Sequence, residues 1–503
     1  MCKQNENKPY CIGKRHIVTL LSFITCGLLN ANRLVVGVGI VAMVKHSYTN
    51  ETPHLNASEP SCPVDSRSSN TTIKTEEKGE MDWDSKQQGY VLVAGFLGCF
   101  LTQIIGGKIA DSIGAKLPLV VSNIVIGAST FISPFAARWN IHAMILIQLL
   151  RSLSQGFVLP SLFRMMSNWY PRNERGPLTT IAVSGHSFGA VFGGVVTGWF
   201  CDVPSLGWSS AFYFWGIITA GIGILLQFVL YEVPQNHPNI TESELKYITE
   251  AQESNMSEKR PTTPWKKIFT SIPCYAFFYG LFGHYWSVYY FLSVHPTFMG
   301  TILHLPMTEN GAASCLPILT KLVGCFFASF MSNWLMKKNY VGVDKLRKYC
   351  TLIGCMGFTL CMVGIIMAEC DTIINIICVC FCLFSEGIAL SGVQIACIDM
   401  TPVFAGSLMG VASTIASLST VLIPMMTGFL TTHGTLSEWH LVFWISIAIV
   451  GSSGFVYVIF GSADVQPWNF PEGHKSKSAE ERPNNAELSD DERKNSLKLS
   501  TKL

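Results

Sequence analysis

Twelve apolar stretches dominate the chain, at residues 16–44, 90–110, 118–137, 141–163, 177–200, 211–231, 271–294, 314–336, 348–368, 374–397, 407–430 and 440–461. Each is long enough to cross about 30 Å of hydrocarbon at about 1.5 Å per residue. Lipid offers backbone groups no water to bond, so stretches of this length cross it as helices that satisfy their own N–H and C=O groups. The expected fold is therefore an all-α membrane protein of twelve transmembrane helices. With 49% hydrophobic and 14% charged residues in 503, a soluble globule of this size would lack polar surface. The first stretch is too long for the core of a cleavable signal and holds Arg33 near its middle, so it reads as a signal anchor.

Charge is scarce inside the stretches. Deep ionisable side chains occur in the first (Arg33), fourth (Arg151), seventh (His284), eighth (Lys321) and tenth (Glu386), and the interiors of the third, sixth, ninth and twelfth have none. A charged side chain at a helix centre costs about 2.5–3.5 kcal/mol on insertion scales, so it persists where water, a partner or a substrate meets it. A shared central cavity follows. On its wall, Arg33, Arg151, Lys321 and a protonated His284 would concentrate a small anion and repel cations.

Lys and Arg in the loops set the orientation. Lys14 and Arg15, Lys116, Arg172 and Arg175, Lys266 and Lys267, Lys337 and Lys338, and Lys475 and Lys477 fall on one side, which is read as cytosolic, with both termini. The long 45–89 loop is placed outside the cytosol, and its N-x-[ST] sequons at Asn50, Asn56 and Asn70 mark a glycoprotein. Cys62 in that loop is a candidate to pair with Cys201 or Cys370. Most of the seventeen cysteines lie inside apolar runs, as Cys378, Cys380 and Cys382 do, with no histidine at zinc-ligand spacing. No metal or cofactor is expected beyond a coupling H+ or Na+.

The organisation expected is a cytosolic N-terminus at 1–15, a six-helix bundle at 16–231 and a cytosolic linker at 232–270. A second six-helix bundle at 271–463 and a disordered cytosolic tail at 464–503 complete it. In the linker, Thr241 followed by Glu244 reads as a capping box opening a short helix on a solvated tether. The halves echo each other: Gly106-Gly107-Lys108-Ile109-Ala110-Asp111 closes the second stretch, and Ala328-Ser329-Phe330-Met331-Ser332-Asn333 closes the eighth. The first run continues through Gly114 to Lys116. It resembles the loop signature of the major facilitator superfamily, in which Gly107, Asp111, Gly114 and Lys116 would form a cytosolic gate.

Further motifs narrow the resemblance. Trp83-Asp84, Thr102-Gln103-Ile104, Gln155-Gly156 with Pro160, Asn310-Gly311, Asp399-Met-Thr-Pro402 with Ala405-Gly406-Ser-Leu-Met-Gly410, and Gln466-Pro467-Trp468 resemble the anion:cation symporter family, which includes sialin, vesicular glutamate and nucleotide transporters, and type I sodium-phosphate cotransporters. The likeness runs from about Arg15 to Trp468. It implies a secondary transporter of organic anions or phosphate, working by alternating access in the plasma membrane or a lysosomal or vesicular membrane. Arg33 matches the family's helix 1 arginine, suited to gripping a carboxylate or phosphate through two hydrogen bonds. It could instead pair with a backbone carbonyl or with Glu386.

Departures from the family pattern bear on coupling. Where the resemblance implies an arginine and two acids four apart in helix 4, this chain reads Gln148, then Arg151 and Gln155 in place of the acids; an amide takes up no proton near neutral pH and an arginine never releases one. The helix 7 arginine of the glutamate carriers is His284 here. Glu386 could neutralise an arginine in the empty carrier or bind the coupled proton, and Lys321, placed near the outer third of its helix, could simply snorkel. Proton symport, sodium symport and voltage-driven movement all stay open. Nothing resembles a nucleotide-binding loop or an enzyme's nucleophile and base, and no nucleic-acid partner is expected. The partners are a small anion and membrane lipid, and the chain is read as a monomer. The rival reading is the same fold serving as a receptor or an anion channel.

Overall fold

The computed structural model describes residues 13–44, 79–203, 205–251, 262–303, 307–338, 340–431 and 435–469. Six helices form the first half: α1 (Lys14–Met43), α2 (Ser85–Ser112), α3 (Lys116–Trp139), α4 (Ile141–Trp169), α5 (Arg175–Asp202) and α6 (Gly207–Val229). Six more follow. α7 runs Ile272–Tyr289, a π turn Tyr290–Val294, then His295–Thr301. After α8 (Met307–Lys337) and α9 (Val343–Ala368), α10 runs Thr372–Ala389, a π turn Leu390–Gln394, then Ile395–Met400. α11 joins Ala405–Ser417 to Ser419–Leu430, and α12 is Leu436–Phe460. Eleven of the described helices are long and apolar enough to cross a membrane. The remaining one, α7, is interrupted by its π turn and rich in Tyr, Trp and His.

Local chemistry starts several helices. Asp84 accepts from Gln87 N at 2.7 Å while Gln87 reaches back to Asp84 N, a reciprocal cap on α2. Asn140 caps α4, Asp371 caps α10 through Ile373 N and Ile374 N, and Thr435 with Glu438 caps α12. α1, α3 and α11 start at the opposite end of the bundles and are capped from afar. The Glu244 carboxylate accepts from Lys14 N and Arg15 N, Glu232 accepts from Ala115 N and Lys116 N, and Asp111 accepts from Gly406 N and Ser407 N. Each satisfies N–H groups left orphaned at a helix start and complements the helix dipole.

The linker helix (Glu242–Ala251) therefore differs from the expected tether. Glu244 does not close a box with Thr241. It is buried beneath α1, where Arg15 bridges it at 3.3 Å and Glu174 at 2.7 Å. The Tyr247 hydroxyl donates to Glu174, and the Arg15 guanidinium lies over the Tyr247 ring. Burial first, and the Glu174 charge second, hold the Tyr247 phenol above its ordinary range. The tail boundary also moves: Gln466 N donates to Met400 O, and Thr401 Oγ1 to Asn469 Oδ1, so 466–469 dock on the α10–α11 turn.

Within the first half α1 packs on α5, α2 on α4 and α3 on α6; within the second, α8 and α9 pack on α10, and α12 on α7 and α9. Between the halves, α2 and α4 meet α11, and α5 meets α8. Glycine permits the closest approaches. A Cβ on Gly189 of α5 would fall within the backbone of Gly27 of α1, and one on Gly107 of α2 would lie 3.0 Å from the Ser407 Cα of α11.

Candidate functional site

Arg33 sits at mid-length on α1, facing the second half of the molecule. Its Nε donates to Gln155 Oε1 of α4 at 3.2 Å, Nη1 to the Tyr289 hydroxyl of α7 at 3.3 Å, and Nη2 to Cys99 Sγ of α2 at 3.5 Å. All three partners are neutral. Tyr289 is the last residue before the α7 π turn, so this contact ties Arg33 across the two bundles at the point where α7 changes geometry. Arg33, Tyr285 and Tyr289 stay partly exposed while most of their neighbours are buried.

Arg151 of α4 is 2% exposed and close enough to Arg33 for the two charges to interact. Its Nη1 donates to the Asn32 carbonyl, and its Nε has no hydrogen-bond partner among the described residues. Asn32 is itself held by Leu28 O, Thr219 and Thr130. The two α4 amides act as local supports: Gln155 holds Arg33, and Gln148 donates to Ser133 Oγ at 3.0 Å. Among the described residues no carboxylate lies within 4 Å of Arg33, Arg151 or Lys321.

The second half bears on two alternatives that the sequence leaves open. Glu386 of α10 pairs with neither arginine; its Oε2 stands 2.7 Å from His284 Nδ1 of α7, with the side chains 1% and 5% exposed. His284 is thus turned toward Glu386. Lys321 lies midway along α8 and is buried, so it does not snorkel. Its charge reaches Glu386, and with Arg33 it also reaches His186 of α5, whose carbonyl accepts from Asn30 and whose ring Nδ1 has no hydrogen-bond partner among the described residues.

A second constellation closes one end of the molecule. Asp111 accepts from Gly406 N at 3.1 Å and Ser407 N at 2.6 Å, with Arg164 Nε 3.7 Å away. Arg164 Nη1 also donates to the carbonyls of Pro402 and Val403. On the other side of the same end, Asp399 of α10 takes Arg347 of α9 at 2.9 Å and Arg175 of α5 at 3.6 Å. Thr180 and Ser391 hydroxyls meet at 2.8 Å, and Ser329 Oγ donates to Pro177 O. Gly107 lies on this seam. Gly114 takes a φ of +129° in the turn before α3, a conformation that L side chains rarely adopt. The Lys116 contacts stay inside the first half, where its ammonium lies over the Tyr231 ring.

Arg164, Arg175, Arg347 and Asp399 were not singled out as site residues in the sequence. Asp399 was visible in the motif ending at Pro402, but its partners come from α5 and α9, 224 and 52 positions away by residue number. Asn50, Asn56, Asn70 and Cys62 lie outside the described residues. Of the two candidates for Cys62, Cys201 has a free thiol and Cys370 is disulfide-bonded.

Residues 61–403 match the family model described as Major Facilitator Superfamily. The chain is 28% identical to sialin of Homo sapiens over 93% of each chain. It is 26% identical to sodium-dependent phosphate transport protein 3 of Mus musculus, covering 90% of this chain and 95% of that one. Among solved structures, the proton:xylose symporter XylE superposes with a TM-score of 0.68 at 14% identity, over 90% of this chain and 97% of that one.

Proposed function

Because the chain belongs to the anion:cation symporter family of the major facilitator superfamily and is a multi-pass secondary transporter of anions or phosphate, we propose that Arg33 is its principal anion ligand, with Arg151 behind it. One observation supports this reading above the others: a partly exposed guanidinium between the bundles, held by Gln155, Tyr289 and Cys99, with no carboxylate within 4 Å among the described residues. A carboxylate or phosphate oxygen that replaces the Tyr289 hydroxyl at Arg33 adds the opposite charge and a second acceptor for the guanidinium fork. Lys321 extends the positive field toward α8, and Arg151 keeps the site positive when one charge is matched.

Alternating access follows from the seam. The end held by Asp111, Arg164, Asp399, Arg175 and Arg347 carries the basic loops and is the cytosolic end in this reading, so both termini face the cytosol and the described state is shut there. Asp111 contributes its carboxylate to the start of α11, and moving the bundles apart would return those N–H groups to water. One chain supplies both walls of the path, so a monomer suffices. The test is uptake into proteoliposomes of inorganic phosphate, N-acetylneuraminate, glutamate, aspartate, urate and ATP, with proton, sodium and voltage gradients imposed one at a time. Saturable uptake that Arg33→Ala removes supports the reading. Folded protein with no saturable flux of any of these anions would favour the receptor or channel instead.

A further inference from the structure

Resting on the anion-transport reading above, we propose that the buried pair His284–Glu386 is the proton-binding site of this carrier, doing from α7 and α10 what Arg151 and Gln155 of α4 cannot do. The Nδ1 and Oε2 atoms are 2.7 Å apart, and neither atom has another polar contact among the described residues, the approach to each other being a close contact without hydrogen-bond alignment. Two lone-pair atoms this close repel unless a proton lies between them. A proton held by the pair, as imidazolium with carboxylate or imidazole with carboxylic acid, gives zero net charge in either form. Releasing the proton leaves neutral imidazole and a carboxylate, a pair of charge −1.

The surroundings convert that change into coupling. Glu386 faces His284 from α7, Lys321 from α8, Cys355 from α9 and Cys382 on its own helix. α11 has no titratable residue along its length, α12 brings Tyr457 to the α7 glycine at Gly280, and α5 contributes His186 behind Lys321. Lys321 is thus the cation that the pair sees. When the pair is unloaded its negative charge opposes Lys321 and weakens the pull of the basic site on an anion; when it is loaded, Lys321 stays uncompensated. Proton and anion therefore favour each other's binding, the reciprocal linkage that symport needs. The pair also lies within about two helical turns of both π turns, Tyr290–Val294 and Leu390–Gln394, and Tyr289 links the first of these to Arg33. The loaded and empty states thus meet the two helices where their geometry already departs from the α-helix.

The experiment uses the full chain in proteoliposomes with inorganic phosphate, N-acetylneuraminate and glutamate, measuring gradient-driven accumulation and gradient-free exchange separately for wild type, Glu386→Gln and His284→Gln. An imposed difference of about one pH unit should raise wild-type accumulation by up to about tenfold per coupled proton. Glu386→Gln should lose that response while still exchanging the same anion across the membrane, which shows that it folds. His284→Gln should lose the response too. Wild-type accumulation indifferent to the pH gradient with exchange intact, or a Glu386→Gln protein that still concentrates anion under it, would overturn the proton site and leave the anion reading standing. Absence of both accumulation and exchange in wild type would overturn the anion reading, and the proton site with it.

Discussion

The mid-membrane site and the seam at the loop end use the same residue types in opposite ways. At the seam Asp111 has two backbone N–H groups and Arg164, and Asp399 has Arg347 and Arg175. At mid-membrane, Arg33 and Arg151 have an amide, a phenol, a thiol and a carbonyl, and no carboxylate within 4 Å among the described residues. A buried charge left without its opposite is costly, so the protein keeps such a site only where a ligand can complete it. Closed networks hold a conformation, and an open one waits for an anion.

The sharpest way to break this contrast is at Arg33. Arg33→Ala should lower uptake by about 100-fold or more, the order expected when a charge-assisted grip of about 3 kcal/mol is lost, with surface expression unchanged. Arg33→Lys keeps the charge without the two-pronged geometry and should fall between wild type and alanine. Uptake unaffected by either change would remove Arg33 from the site.

A smaller effect is expected at the seam. Asp111→Asn removes the charge that caps α11 and pairs with Arg164, which should cost about 1–2 kcal/mol and favour the state open at that end by about tenfold. Cys397, buried beneath the seam with its thiol on the Ala405 carbonyl, is the reporter. Peptide-resolved maleimide labelling of Cys397 should accelerate in Asp111→Asn, and an unchanged rate would mean that Asp111 does not hold the seam shut.

Glu244→Gln tests a closed contact that lies outside the membrane path. It should lower the melting temperature by a few degrees, consistent with about 1 kcal/mol from a weakened helix cap, and leave the uptake KM unchanged. A changed KM would tie the linker helix to the site. The mildest test concerns which end is which. Enzymatic deglycosylation should shift the gel mobility of wild type but not of a variant lacking Asn50, Asn56 and Asn70, and a shift remaining in that variant would contradict the assignment of the seam to the cytosolic end.

Much of this was legible in sequence, for reasons that differ by residue. The caps at Asp84, Asn140, Asp371 and Thr435 depend on neighbours two or three positions away, so local chemistry announces them. Arg33, Arg151, Lys321 and Glu386 stood out because hydrocarbon makes any ionisable group conspicuous. Their partners did not. Glu386 was open to pairing with an arginine and is instead beside His284, 102 positions earlier by residue number, because α7 and α10 face each other inside the second bundle. Glu244 resembled a local cap for its own helix and serves α1 from 230 positions away.

The sequence by itself determined that this chain is an all-helical membrane protein, and that its few deep charges are mostly positive, since length, apolarity and the cost of burying charge are properties of each segment alone. Only the tertiary structure decided which charges are answered and which are left open. Neutralisation depends on atoms a few ångströms apart that belong to helices far separated along the chain, and the packing of the helices, not the order of the residues, sets those distances.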